Sequence, residues 1–153
     1  MLNNSKSLTR LLVAFLGGAS LAALSFAASA QTLSGAKTVT QTFSAADLNV
    51  ATDATFSVTT LTGNGIDLSS TNSLIFTDNY QSVINGVFSG IYADNYGTGT
   101  GALSLTSTGT VTGSRDDGIY ANNSSTGTNL TITSNNVTGA DSAIRATTLA
   151  LAR

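Results

Sequence analysis

The chain has 153 residues with no cysteine, no histidine and no proline, and its formal net charge is −2 at pH 7. Without cysteine and histidine it cannot form disulfide bonds, thiol nucleophiles, the usual metal clusters or a Ser-His-Asp triad, which excludes most enzyme classes. The slight negative charge offers no basic patch to attract phosphate, so we expect no nucleic-acid partner.

The first segment, residues 1–30, has the three parts of a secretory signal peptide. Lys6 and Arg10 give it a positive start, residues 11–26 are uncharged and mostly apolar, and residues 28–30 form a small-x-small cleavage site. We expect export and cleavage after Ala30. A membrane anchor is the alternative, because an uncharged run of about 20 residues can span a bilayer. Cleavage would leave four basic residues against eight Asp and no Glu, a net charge of −4.

The rest of the chain is rich in Thr, Ser, Asn and Gly, which favour strands and tight turns over helices. Several short segments place two apolar side chains on one face of a strand with a small residue between them. They are Phe56-Ser57-Val58, Leu103-Ser104-Leu105, Leu130-Thr131-Ile132 and Leu149-Ala150-Leu151. Such brief runs suit a coil of strands better than a sandwich, so the sequence predicts an all-β parallel β-helix.

Residues 31–62 are the less regular part of the exported chain and are predicted to form a capping, irregular β segment. Within it, residues 32–50 are the candidate for an atypical terminal turn that hides an open edge. Residues 63–153 are predicted to form the β-helix repeats, incomplete at the C-terminus. Ile66 already precedes Ile91 by 25 positions, which is the spacing of the clearer repeats that follow.

An internal repeat is the strongest signal in the chain. Gly-Ile-Tyr-Ala-Asp-Asn at 90–95 returns as Gly-Ile-Tyr-Ala-Asn-Asn at 118–123, with a weaker echo, Ala-Ile-Arg-Ala, at 143–146. Between these copies the phrases Leu-x-(Leu/Ile)-Thr and Val-Thr-Gly also recur. A period of 25 to 28 residues predicts a solenoid with loops of different length inserted into a constant frame and three strands per turn.

Stacked turns place equivalent positions about 4.8 Å apart, so apolar ladders should form the core. The expected ladders are Ile91 with Ile119 and Ile144, Leu103 with Leu130, Leu105 with Ile132, and Val111 with Val137. A corner is expected at Asn135-Asn136. Asparagines near corners can adopt positive φ or stack as amide ladders, with carbohydrate binding as the alternative role. They are Asn95, Asn122, Asn123, Asn135 and Asn136.

Arg115, Asp116 and Asp117 form the one cluster of charged residues in the sequence. Two carboxylates beside a guanidinium could serve a polysaccharide-processing enzyme, and Asp oxygens could hold calcium. Adjacent strand residues point to opposite faces, however, and an Asp pair in a turn is ordinarily solvated. The nonapeptide that marks calcium β-rolls is also missing. We therefore predict no enzyme and assign no catalytic, cofactor-binding or metal-ligating residue.

On these repeated phrases, over roughly residues 63–146, and on its signal-like start, the chain resembles the passenger region of bacterial autotransporters, which are secreted right-handed β-helices of adhesin type. The resemblance implies export, passage through the outer membrane and display on the surface of a Gram-negative cell. Adhesion and autoaggregation are the usual roles. These proteins end in a membrane barrel, which nothing after Ala146 resembles. We therefore expect a fragment or a truncated product, which would be periplasmic if truly truncated.

The sequence leads to two main hypotheses. The first is part of a surface-displayed adhesin that binds a host or bacterial surface carbohydrate or protein, and that can self-associate through its open end. Contact with a membrane would come only from the signal peptide or a missing translocator. The second is a β-helical enzyme acting on polysaccharide, with Arg115, Asp116 and Asp117 as participants. A non-functional truncated product is a further alternative.

Overall fold

The computed structural model describes residues 30–96, 98 and 100–148, and these residues form eleven β-strands and no helix. This part of the chain accordingly has no helix that is long and apolar enough to cross a membrane. The strands are β1 (Gln31–Leu33), β2 (Ala36–Lys37), β3 (Gln41–Thr52), β4 (Ser57–Thr59), β5 (Ile66–Asp78), β6 (Val83–Gly86), β7 (Ile91–Asn95), β8 (Leu103–Gly113), β9 (Ile119–Asn123), β10 (Leu130–Gly139) and β11 (Ile144–Thr148).

All strand pairs are parallel and join successive turns, which is the arrangement of a β-solenoid of about four turns. Three strand segments make up each turn, as the sequence predicted. Face A contains residues 41–45, 66–70, 91–95, 119–123 and 144–148. Face B contains residues 31–33, 47–52, 74–78, 103–107 and 130–134, and face C contains residues 36–37, 57–59, 83–86, 110–113 and 136–139.

The apolar ladders predicted from the repeat are confirmed by the strand register. Ile91 pairs with Ile119, which pairs with Ile144, and the three predicted pairs between β8 and β10 are also in register. The same columns continue into the earlier turns, where Leu48 pairs with Leu74 and Leu74 with Leu103. The buried side chains of these columns form the core, and the full burial of one such side chain contributes about 1.5–3 kcal/mol. Leu130, Ile132 and Val137 are partly buried and pack against it.

The corner between faces C and A is tight because two columns of glycine line it. Gly113 ends face C, and an added Cβ there would lie 2.0 Å from the backbone oxygen of Asp117. Gly118 comes directly before face A. Its amide donates to the backbone carbonyl oxygen of Ser142 in the following turn at 2.9 Å. Glycine is therefore required where the chain passes so close to its own backbone. The glycines of Val-Thr-Gly and Gly-Ile-Tyr-Ala belong to these two columns.

The corner predicted at Asn135-Asn136 is present, but it does not separate two strands. The strand β10 continues through it, with a register shift between Ser134 and Asn136, because a bulge lets one strand bend there from face B to face C. The predicted role of positive φ at the asparagines is wrong. Within the described residues, Gln81 is the only non-glycine residue with positive φ, at 56°. The asparagines therefore do not act at these corners through a left-handed backbone.

The first segment of the predicted organisation lies almost wholly outside the described residues. Residues 1–29, which carry the signal-peptide prediction, and the Leu149-Ala150-Leu151 alternation are not among them. Residues 31–59 contribute β1 to β4, and β3 pairs with β5 from Gln41 opposite Ile66. The predicted boundary between residues 62 and 63 stays a prediction.

Candidate binding surface and carboxylate cluster

Face A presents two outward columns of side chains, because alternate residues of its strands point away from the core. We call these two columns the face A surface. The strand register defines the first column as Thr42, Asp67, Tyr92, Tyr120 and Arg145, and the second as Ser44, Ser69, Asp94, Asn122 and Thr147. Each column therefore crosses five successive strand segments without a gap.

Tyr92 and Tyr120 stack at the centre of the face A surface. Their ring centroids are 4.8 Å apart and their planes differ by 5°. The centroid distance equals the usual spacing of neighbouring strands, so the stack follows directly from the two copies of Gly-Ile-Tyr-Ala lying in register. Both tyrosines lie within strands and are half-buried. Burial, and then the charge of Asp94, raise the pKa of Tyr92.

The second column is connected by side-chain hydrogen bonds between turns. Asn122 donates from Nδ2 to Asp94 Oδ1 at 2.8 Å, and the Thr147 hydroxyl donates to Asn122 Oδ1 at 2.9 Å. In the first column, burial raises the pKa of Asp67, a hydrogen bond from Asn64 opposes this shift and the Asp94 charge adds to it. The face A surface is thus acidic towards Asp67 and Asp94 and basic at Arg145.

Two of the predicted corner asparagines form an amide ladder inside the solenoid, as expected for stacked Asn. Asn95 and Asn123 are both buried, and Asn95 Nδ2 donates to Asn123 Oδ1 at 2.7 Å. Asn95 Nδ2 also donates to the Asn72 oxygen at 2.9 Å, and Asn123 Nδ2 donates to the Asn129 oxygen at 3.0 Å. These two amides hold the connections between faces A and B, so they are not exposed to a carbohydrate.

Asp78 is a buried carboxylate at the corner between faces B and C that sequence reasoning missed. Its Oδ1 accepts hydrogen bonds from the hydroxyls of Thr52 and Ser82 and from the Tyr80 amide, at 2.7, 2.8 and 3.2 Å. Its Oδ2 accepts one from the Ser107 hydroxyl at 3.2 Å. Donors from three turns thus satisfy both oxygens, which is what a buried charge requires. The only sequence signal was an Asp at a strand end.

In the fold, the aspartates of the predicted charged cluster at residues 115–117 lie close to Asp141 and Arg145, which the sequence did not predict as their partners. One carboxylate oxygen each from Asp116, Asp117 and Asp141 lies within 4.8 Å of the others. We call these three residues the carboxylate cluster. Asp141 comes from the next turn. Its backbone amide also donates to the backbone carbonyl oxygen of Asp116 at 3.2 Å. The sequence could not show this approach, because 24 residues separate Asp117 from Asp141.

The guanidinium beside these carboxylates belongs to Arg145 and not to Arg115. Arg145 Nε lies 2.9 Å from Asp117 Oδ2, and its Nη2 pairs with Asp141 Oδ2. The Asp117 carboxylate raises the pKa of Arg145 above its already high value. The Asp117 side chain is only 1% exposed, and its Oδ1 is buried with no hydrogen-bond partner among the described residues. Asp117 was one of the three residues on which the enzyme hypothesis relied.

No protein-family model, no curated protein and no solved structure matches this chain. The class that the fold defines is a parallel β-solenoid, held together by apolar ladders and buried polar groups.

Proposed function

We propose that this chain is part of an exported, surface-displayed solenoid of the autotransporter passenger type, and that it binds a partner through the face A surface. The observation that supports this role most directly is the unbroken pair of outward columns across five strand segments of face A. A solenoid offers long lateral surfaces for contact, and function then belongs to a surface instead of a cleft.

The chemistry of the face A surface fits a polar partner such as a cell-surface carbohydrate or protein. Aromatic edges lie at its centre, and carboxylate, amide and hydroxyl groups lie beside them. Amphipathic tyrosines with adaptable polar neighbours are typical of binding surfaces. The signal-like residues 1–30 support export, because such a segment directs a chain out of the cytoplasm.

Export is tested by expressing the full chain in a Gram-negative host, fractionating the cells and sequencing the N-terminus of the product. The proposal expects a product in the periplasmic or surface fraction that begins at Gln31. An uncleaved product confined to the cytoplasm would contradict it.

Binding is tested with the secreted product on immobilised cell-surface polysaccharides and on whole bacterial cells. Substituting Tyr92→Thr together with Tyr120→Thr removes both rings while keeping residues that favour strands. We expect binding to fall about tenfold or more, as for central aromatic residues of an interface. The matched control on face C, Thr110→Ala with Thr112→Ala, should bind as the unmodified chain does. Equal losses in both variants, or no loss in either, would contradict the assignment to face A.

Self-association at the end of the stack is a second proposed role, favoured by a separate observation. Ile144 continues the buried ladder of Ile91 and Ile119 but is 41% exposed, and no described strand pairs with the outer edge of β11. An edge of this kind can accept a parallel strand from a second copy. Sedimentation velocity should show association that rises with concentration and that Ile144→Lys weakens. A chain that stays monomeric at all concentrations would exclude this role.

A further inference from the structure

The carboxylate cluster contains an oxygen that the rest of the fold leaves without a partner. Asp117 Oδ1 is buried and receives no hydrogen bond from the described residues, whereas Arg145 contacts only the other oxygen of the same carboxylate. A buried carboxylate oxygen without a donor or a cation is unfavourable, since it has lost its hydrogen bonds to water and no other interaction replaces them.

The contrast with Asp78 shows that this chain can satisfy a buried carboxylate when the fold requires it. Both oxygens of Asp78 accept hydrogen bonds, from four donors in all. Asp117 is buried to the same degree, yet one of its oxygens lies within 4.8 Å of carboxylate oxygens of Asp116 and Asp141. A cation would supply the partner that its free oxygen lacks.

We propose that the carboxylate cluster binds a divalent cation, with Asp116, Asp117 and Asp141 each supplying an oxygen ligand. The charges favour this: the three carboxylates and Arg145, the guanidinium that is paired with them, sum to −2, which one divalent ion neutralises. The Arg145 side chain is 44% exposed and pairs with Oδ2 of Asp117 and of Asp141.

Calcium is the ion that this set of ligands suits. Carboxylate oxygens are hard ligands, and Ca²⁺ accepts six to eight of them in irregular arrangements that water can complete, whereas Mg²⁺ demands near-octahedral geometry. The chain contains no cysteine or histidine, the ligands that zinc and copper prefer. The sequence alone predicted no metal site, because an Asp pair in a turn is ordinarily solvated and the calcium β-roll nonapeptide is missing. It could not show that Asp141 lies beside Asp116 and Asp117.

The consequence for the molecule is a link between successive turns. Asp116 and Asp117 precede β9, whereas Asp141 precedes β11, so one ion would join the turns that enter two adjacent strands of face A. This is the part of the stack where the ladder is least covered, as Ile144 shows. Calcium should therefore stabilise the last described turn, whether or not face A binds a partner.

The test is isothermal titration of CaCl₂ into the full chain after treatment with a chelator. We expect one binding event with a dissociation constant of about 10⁻⁴ to 10⁻³ M, the range of extracellular calcium modules. Asp141→Asn, which changes an exposed side chain, should weaken binding about tenfold or more, because it removes one negative charge close to the ion. Asp117→Asn should do the same if circular dichroism shows that it folds.

Asp53→Asn is the matched control, since Asp53 is a corner aspartate whose side chain accepts hydrogen bonds from Thr55 of its own turn. It should leave the titration unchanged. Arg145→Gln should tighten binding, because the cluster then carries a charge of −3. The proposal is overturned if the unmodified chain binds no calcium up to about 10 mM, or if Asp141→Asn binds as the unmodified chain does.

Discussion

The first turns of the solenoid and the later ones differ in which corner a single continuous strand crosses. β3 and β5 run without a break from face A to face B, and the chain then makes separate connections to reach face C. β8 and β10 run without a break from face B to face C, and separate connections lead into them from face A. The apolar columns nevertheless continue through all of these turns.

We call the turns of β3 and β5 the first half and the turns of β8 and β10 the second half. In each half, a buried polar side chain holds the connection between the strands. Asp78 holds the connection between faces B and C in the first half, through donors from Thr52 and Ser82. Asn95 and Asn123 hold the connections between faces A and B in the second half. The comparison teaches that the ladders determine the stack, while a connection can be placed at either corner if a buried group satisfies its backbone.

The glycine corner between faces C and A is shared by both halves, so breaking it should have the largest effect. For Gly113→Ala we expect a loss of about 3 kcal/mol or more in the free energy of unfolding, because the added Cβ meets the Asp117 backbone oxygen. Gly35→Ala is the control: its φ is 68° but no atom lies within 4 Å, so about 1 kcal/mol is expected. Urea unfolding followed by circular dichroism measures both, and equal losses would show that steric contact is not the cause.

Asp78→Ala tests the polar closure of the first half. Removing the carboxylate leaves the hydroxyls of Thr52, Ser82 and Ser107 without their acceptor, and we expect a loss of about 3 kcal/mol. Asp53→Ala, at the same corner of the preceding turn but only partly buried, should change the urea midpoint much less. Similar midpoints for the two variants would mean that Asp78 contributes little to closing this corner.

Asn95→Ala tests the polar closure of the second half. It removes a donor to the Asn72 oxygen and to Asn123, and we expect a loss of about 2 kcal/mol. A double-mutant cycle with Asn123→Ala should give a coupling of about 1 kcal/mol, because the two amides share a hydrogen bond. Asn135→Ala, on an exposed asparagine, is the control. Purely additive losses would argue against the ladder.

Asp67→Asn should have the smallest effect, and one that depends on pH. Burial raises the pKa of Asp67, so its ionisation opposes folding. This penalty is absent below the unfolded pKa of about 3.9, grows as the pH rises from there, and is complete above the folded pKa. The variant should therefore be more stable at pH 7, by less than about 0.5 kcal/mol because solvent screens the charge, and not at pH 3.

Asp47→Asn should change the stability at pH 7 in the opposite direction. Hydrogen bonds from Ser73 and Asn72 lower the pKa of Asp47, so its ionised form contributes stability above the unfolded pKa and loses that contribution as the pH falls through the folded pKa. Its substitution should therefore destabilise the chain at pH 7 and have little effect in acid. Urea midpoints that shift in the same direction for both variants would contradict these pKa assignments.

The solenoid and its ladders could be predicted because the repeat carries its own register. When Gly-Ile-Tyr-Ala recurs in successive turns, isoleucine must lie on isoleucine and tyrosine on tyrosine. The positions of the corners were less predictable. The corner expected at Asn135-Asn136 is present, but a bulge forms it within one continuous strand, and alternation of apolar residues does not distinguish a bend of this kind from a strand end.

The sequence by itself determined the all-β stack, the columns of its core and the glycines of its tight corner, because these follow from local alternation and from a period of 25 to 28 residues. Only the tertiary structure decided which charges meet. Asp141 and Arg145 reach Asp117 through the stacking of successive turns, and Asp78 collects its donors from three turns. Electrostatic contacts depend on distance in space, whereas the repeat is a pattern along the chain. The register of the strands brings residues that are far apart in the sequence close together in space.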